Sequence, residues 1–313
     1  MEDISNGQKK SQIWSEYHEL PKSLSNSPGE FAQFYQRASH NSNNRLDNKS
    51  YQGLEAKKEG FVRFVVISDT HNRRPIVTEI PNGDVLLHCG DVTLRSLKSE
   101  FVSFNRWIGS LPHPTKIVIA GNHDRLLEVR PLNAFFQRLG AADKEELMKE
   151  FTNFTYIEDE TINVHGYRIY GSPWTPVHLG GFQKQRGVSI RSKWDMIPSN
   201  TDILLTHGPP ATVGDYTKRG DYAGCVDLLE QIQNRIKPLY HCFGHIHEGN
   251  GVYTDGTTTY INAAICDISY KAKQPAYVFD LPVRNNDNKL ECGTNSENDI
   301  KLESESKPSN SQT

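Results

Sequence analysis

Long apolar runs are absent from this chain: nowhere do about 18 consecutive residues read as apolar, so no segment reads as a bilayer-spanning helix. Paired cysteine motifs are absent as well. The five cysteines, Cys89, Cys225, Cys242, Cys266 and Cys292, are scattered, odd in number and without Cys-x-x-Cys spacing, which argues for reduced thiols in a cytosolic setting. Cys89 and Cys242 lie inside apolar runs and read as small buried hydrophobes. No block of Lys and Arg forms an electrostatic footprint, and the net charge is only −3. Polymeric nucleic acid is therefore disfavoured as a partner, while a small nucleotide is not. The start, MEDISNGQKKSQIW, has no apolar core of a signal peptide. The expectation is a soluble cytoplasmic protein without a membrane partner.

What is present divides into three stretches. Residues 1–60 are rich in Ser, Asn, Lys and Glu and read as a mostly flexible extension, with SPGEFAQFYQRA (Ser27 to Ala38) a candidate short helix. Residues 284–313 carry almost no large apolar side chain and read as a disordered tail. Residues 61–283 form the folded unit.

Within that unit the strand candidates are Phe61 to Ile67, Val85 to His88, Lys116 to Ala120, Asn163 to Tyr170, Ile203 to Thr206, Leu239 to Phe243, Thr257 to Asn262 and Ala276 to Leu281. Each is short, β-branched or aromatic and bounded by turn residues. Helical spacing marks SEFVSFNRWIGSL, with Ser99 as its expected cap, and CVDLLEQIQNRI. TINVHGYRIYGSPW and GVYTDGTTTYINAA read as hairpins, the second through a two-residue Asp255-Gly256 turn. The expected class is α/β: a two-sheet mixed β-sandwich flanked by helices, with sites at the carboxyl ends of the strands.

Five of the apolar runs end in metal-binding residue types. They are FVVISDTH (Asp69, His71), DVLLHCGD (Asp91), KIVIAGNHD (Asn122, His123), DILLTHGPP (His207) and HCFGHIH (His245, His247). Singly, each has a plainer explanation: Asp69 as a helix cap, Gly90-Asp91 as a turn, His207 before two prolines as a turn histidine. Strand alternation puts Asp69 and His71 on one side of the chain if the extended geometry persists there. Together, carboxylate, amide and imidazole at successive strand ends are what two neighbouring divalent cations need. Such a cation pair hydrolyses phosphate esters by in-line attack of a bridging hydroxide. A donor set without thiolate suits Mn²⁺ best, with Fe or Zn²⁺ as alternatives.

These residues resemble the five signature blocks of the calcineurin-like metallophosphoesterase superfamily. RIYGSPWTP, LLTHGPP, FGHIHEGNGV and DGTTTYINAA further resemble one branch, the metallophosphoesterase domain-containing proteins. The resemblance covers residues 61–283 and implies a four-layer α/β/β/α fold. It implies one metal on Asp69, His71, Asp91 and His247, and a second on Asp91, Asn122, His207 and His245, with Asp91 shared. His123 is the candidate proton donor to the leaving oxygen. Asp124 is read either as a group that orients His123 or as the N-cap of DRLLEVR.

In one place the chain departs from its relatives. The protein Ser/Thr phosphatases of the superfamily carry a second Asp after the bridging one, and here GDVTLRS has Leu94 at that position. Phosphoprotein phosphatase activity is thereby disfavoured, and His123 is left without an assigned partner. The branch implies small phosphodiesters, cyclic nucleotides foremost; the alternatives are a phosphomonoesterase or nuclease on the same fold, or a metal-binding scaffold with little turnover. Loop aromatics near Trp174, Phe182 and Tyr216 offer stacking surfaces for a base. Arg125, Arg186 and Arg219 are candidate phosphate contacts, and Glu248 a candidate partner of a ligand imidazole.

Overall fold

Strand β1 (Phe61–Ile67) is apolar on both faces except for Arg63, which pairs with Asp280, and both faces are buried. Val62, Phe64 and Val66 point into one apolar cluster, while Val65 and Ile67 point into another, as the two-residue period of a strand requires. A strand covered on both sides belongs in the middle of a layered fold. The computed structural model, which describes residues 45–46, 51–52, 55–73, 75, 79–129 and 143–284, places it there.

The first sheet joins β1 to β2 (Val85–His88), β3 (Thr115–Val118), β4 (Thr155–Tyr156) and β13 (Tyr277–Pro282), in the order β13-β1-β2-β3-β4. β13 runs antiparallel to β1, and the other neighbours pair in parallel. The second sheet is built from β5 (Glu160–Val164), β6 (Tyr167–Ser172), β9 (Ile203–Thr206), β10 (Tyr240–Phe243), β11 (Gly251–Thr254) and β12 (Thr259–Asn262). Its order is β11-β12-β10-β9-β6-β5. Its four inner strands are parallel and both edge pairs are antiparallel hairpins. Two further short strands, β7 (Thr175–Pro176) and β8 (Gln183–Lys184), pair with each other.

Three apolar clusters give the layer order. Phe64, Leu87, Ile117, Ile169, Leu205 and Ile261 fill the space between the sheets. Helix α1 (Lys98–Gly109) covers the first sheet with Phe101, Phe104, Trp107 and Ile108. Helices α2 (Val188–Trp194) and α3 (Val226–Gln231) cover the second with Ile190, Trp194 and Leu228. Each such fully buried large apolar side chain contributes about 1.5–3 kcal/mol. The expected two-sheet sandwich flanked by helices is therefore what forms.

The details depart from expectation where local chemistry overrides pattern. Helix α1 starts at Lys98 after Leu97 and is not capped by Ser99. Instead the Glu100 carboxylate reaches back to accept the amides of Leu94, Arg95 and Leu97 at 3.2, 2.9 and 3.0 Å. The Asp255-Gly256 turn is not two residues long. β11 ends at Thr254 and β12 begins at Thr259, because Asp255 Oδ1 accepts the amides of Thr257 and Thr258 and holds a wider loop. The helix expected to run to Ile236 changes at Ile232 to a π turn, closed by Lys237 N–H to Ile232 O at 2.8 Å.

Two parts of the expected N-terminal extension are packed. Arg45 and Tyr253 form an antiparallel bridge at the outer edge of β11, with Leu46 N–H donating to Val252 O at 2.8 Å. Leu46 and Tyr51 cover the core between the sheets. The candidate helix at Ser27 to Ala38 and residues 285–313 of the expected tail lie outside the described residues. Arg284 donates to Asp202 Oδ1 at 2.8 Å. Among the described residues no helix is long and apolar enough to cross a membrane.

Candidate metal centre

Five strand ends deliver the site: β1, β2, β3, β9 and β10 all stop at the same edge of the sandwich, in both sheets. Beyond β1 the chain does not stay extended. Asp69, His71, Asp91 and His245 have left-handed backbones, with φ of 55°, 45°, 55° and 67°. Asp and His tolerate this region better than most residues, yet each instance costs about 1–3 kcal/mol. The expectation that Asp69 and His71 share one face of an extended strand is thus overturned. A tight loop, pinned by Asp69 N–H to Gly90 O and His71 N–H to Asp91 O, both 2.9 Å, turns both side chains inward.

The glycines of the motifs make room for this. A Cβ on Gly121 would overlap Asp91 Oδ1 and His207 Cε1, and one on Gly244 would overlap Asp69 Oδ2 and Ser68 Oγ. The letter before Asn122 and the letter before His245 are therefore dictated by the carboxylates behind them.

Every side chain expected as a ligand arrives in the cluster. Asp69, His71 and His247 present one donor atom each within 4.8 Å of one another, as do His71, Asp91 and His123, and likewise Asp91, His207 and His245. Asp91 belongs to two of these groups. Its Oδ2 faces His71 Nε2 at 3.7 Å and its Oδ1 faces His207 Nε2 at 3.4 Å. Asn122 joins the second group through Oδ1, 2.9 Å from His207 Nε2. Its amide nitrogen is turned away, donating to Leu179 O at 2.9 Å.

The hydrogen bonds behind the rings fix which nitrogens face inward. Nδ1 of His71, His207 and His247 lies 3.2, 2.9 and 3.0 Å from the carbonyl oxygens of Thr93, Cys89 and Asp267. A carbonyl only accepts, so each Nδ1 carries a proton and each Nε2 is the nitrogen turned to the centre. His71 Nε2 and His247 Nε2 then face each other at 3.2 Å. His207 Nε2 likewise faces the acceptor oxygen of Asn122. Atoms opposed at these distances need a cation between them, a proton on one ring or a metal ion in its place, so the residues present fit divalent metal ions.

The charge pattern agrees. Burial opposes charge on His207 and His247, but Asp91 beside the first and Asp69 beside the second outweigh it and raise both to about 9. Both rings therefore hold a proton at pH 7 that a metal ion on Nε2 would displace. Burial opposes ionisation of Asp69 and Asp91 too, yet His247 and His207 hold both carboxyls below the ordinary range. Burial lowers His71, and burial with the His207 charge lowers His245 to about 3. The two are neutral imidazoles at pH 7, the form that binds metal.

His123 sits at the mouth, half-buried, with its ring edge-on to His71 at 4.7 Å between centroids. Among the described residues its Nδ1 is held not by Asp124 but by the Leu94 carbonyl, to which it donates at 2.8 Å. Asp124 does something different from both expected roles. It makes no side-chain cap bond to the short helix Arg125–Leu127. Its buried carboxylate accepts the amides of Val92, Thr93 and Gly121 and the Thr93 hydroxyl, clamping the Asp91 loop to the Asn122 loop. Burial, with the Asp91 charge, raises it to about 6.

Other expected contacts are spent elsewhere. The Trp174 indole donates to Asp159 at 2.8 Å and carries the Lys184 and Lys193 ammonium groups over its ring, and Phe182 is fully buried. Arg186 donates to the carbonyls of Gly224 and Ala223. Glu248 accepts Lys218 N–H at 2.9 Å, while the imidazole of His247 takes the Asp267 carbonyl instead. Tyr216 is exposed and packs on Tyr222. Sequence reasoning missed Thr93, Leu94 and Asp267 because they act through backbone carbonyls, which no side-chain pattern reports. It also missed the clasp on Asn122, whose carbonyl accepts Gly181 N–H at 2.7 Å; the Gly180-Gly181 pair was its only signal.

Two donor groups sharing one carboxylate, at the strand ends of a two-sheet α/β sandwich, define a metal-dependent phosphoester hydrolase. The profile of the calcineurin-like phosphoesterase family matches residues 62–249, and the chain belongs to that family, whose members depend on a metal pair. The human and mouse proteins named Metallophosphoesterase domain-containing protein 1 are each 44% identical to it over 242 residues, covering 74% of this chain and 74% of theirs. A UPF0046 protein of Caenorhabditis elegans is 43% identical over 236 residues, 72% of this chain and 83% of its own. Among solved structures, TT1561 of Thermus thermophilus is similar over 72% of this chain and 100% of its own, at 14% identity and a TM-score of 0.44.

Proposed function

We propose that this protein is a phosphodiesterase for small diesters, cyclic nucleotides foremost, working with two Mn²⁺ ions or with Fe or Zn²⁺ in their place. The observation that carries the proposal is the position of Asp91, one oxygen toward His71 and the other toward His207. Asp69, His71, Asp91 and His247 would hold one ion, and Asp91, Asn122, His207 and His245 the other. When bound, the ions supply an activated water and neutralise charge on the equatorial phosphoryl oxygens.

The chain itself supplies the proton. His123 Nδ1–H is committed to the Leu94 carbonyl, so Nε2 is the atom that gives a proton to the departing ester oxygen. Diesters are favoured over phosphoproteins because Leu94 replaces the second signature carboxylate. Buried, free thiols at Cys89, Cys225, Cys242 and Cys266 support a reducing, cytoplasmic setting.

The test is hydrolysis of bis(4-nitrophenyl) phosphate by the full chain in Mn²⁺. Chelation or Asp91→Ala abolishes it on this account; equal activity of stripped, variant and parent proteins refutes the account. Screening 2′,3′- and 3′,5′-cyclic nucleotides against mononucleotides then names the substrate class.

A further inference from the structure

Tyr270 has no place in the packing of the fold, yet the chain is strained to present it. None of the three apolar clusters of the described residues includes it, and it is 36% exposed. Its ring stands edge-on to three imidazoles, with centroids 4.8 Å from His71, 5.5 Å from His247 and 6.2 Å from His123. Its backbone is left-handed, at φ 55°, a region that bulky residues rarely occupy. Strain of this kind gathers where function requires it.

The loop that carries Tyr270 is tied to the metal centre. Asp267 N–H donates to Lys271 O and Tyr270 N–H to Asp267 O, both at 2.8 Å. The Asp267 carboxylate accepts the amides of Ser269 and Lys271 at 2.8 and 3.1 Å. The same residue's carbonyl takes Nδ1–H of His247 at 3.0 Å. One short turn thus fixes a ligand imidazole and an aromatic ring together, the ring lying across both His123 and the Asp69 group.

We propose that Tyr270 is the substrate-facing wall of this centre: the organic substituent of a phosphoester packs on its ring while the phosphate lies among the imidazoles. It makes the site prefer aromatic substituents, aryl or nucleobase, over small alkyl ones. The proposal rests on the reading of the cluster as a phosphoester site. Packing on an aromatic side chain changes affinity by roughly fivefold to a hundredfold, so about tenfold is expected here.

Calorimetric titration of the Mn²⁺-loaded full chain with phenyl phosphate and with methyl phosphate tests it; if either is turned over, the same ratio is read from KM. The parent should prefer phenyl phosphate. Tyr270→Ala should lose about tenfold for phenyl phosphate while methyl phosphate affinity and Mn²⁺ content stay with the parent, and Tyr270→Phe should restore the preference. Equal losses for both esters, or loss of Mn²⁺, would make Tyr270 a prop for the imidazoles and overturn the proposal. So would a parent that binds methyl phosphate but shows no phenyl preference. A loaded parent that binds neither ester yet hydrolyses bis(4-nitrophenyl) phosphate overturns the wall alone, and one that does neither overturns the phosphoester reading as well.

Discussion

His123 donates its Nδ1 proton to the backbone carbonyl of Leu94, 2.8 Å away. At the position where the superfamily's protein phosphatases place a carboxylate side chain, this chain uses its main chain. The carbonyl is steadied in turn, because Glu100 at the start of α1 accepts the amides of Leu94, Arg95 and Leu97. A backbone dipole thus orients the ring through Nδ1.

If His123 is the proton donor, His123→Asn lowers kcat for bis(4-nitrophenyl) phosphate by about 10²–10⁴ and leaves bound Mn²⁺ at the parent's level. Leu94→Ala retains activity, because the carbonyl is untouched. Steady-state kinetics with metal analysis checks both. A His123→Asn protein with parental kcat would remove the residue from the mechanism.

Gly121→Ala loses metal while keeping the fold, because the added methyl overlaps Asp91 Oδ1 and His207 Cε1. Displacing such groups lowers metal affinity by about 10–100-fold, read by Mn²⁺ titration, with far-ultraviolet circular dichroism reporting the fold. Parental affinity would mean that the two loops have slack.

Asp124→Asn turns one acceptor oxygen into a donor facing two hydrogens of the clamp formed by Val92, Thr93 and Gly121. Each unsatisfied buried donor costs about 1–3 kcal/mol. Urea denaturation of the metal-free protein should show that loss, and an unshifted midpoint would contradict the clamp.

His241 gives the fold a dependence on pH. Its Nε2 bonds to the Thr206 hydroxyl at 2.7 Å, and its buried Nδ1 has no hydrogen-bond partner among the described residues. Burial pushes it down to about 3, whereas an unfolded chain's histidine titrates near ~6.5. Below that value the unfolded chain takes up a proton that the folded protein refuses. Stability is therefore complete above ~6.5 and falls as the pH drops toward the folded value, by about 2 kcal/mol at pH ~5 for this residue. Denaturant midpoints of the parent and His241→Gln at both pH values measure the difference; parallel losses would show that His241 does not titrate as described.

The sandwich was legible because its strands are apolar on both faces, as in Phe61 to Ile67, and the ligand series because Asp, Asn and His stand where such runs end. What stayed hidden lies in the main chain. No residue pattern reports that the Leu94 carbonyl holds His123, or that Asp69 and His71 reach the centre through left-handed turns. Asp124 shows the limit from the other side: a capping residue by its spacing, it instead holds the amides of Val92 and Thr93, 32 and 31 residues away in sequence, together with that of Gly121. Tyr270 carried no signal at all, because its position depends on a turn set by Asp267.

Asp91, with one oxygen toward His71 and the other toward His207, is placed to join two metal ions side by side. Electron paramagnetic resonance of the Mn²⁺-titrated full chain tests it most directly. The parent should give the signal of an exchange-coupled Mn²⁺ pair, and Asp91→Ala should lose it. An isolated-ion signal at saturation in the parent, or a coupled signal that survives Asp91→Ala, would contradict it.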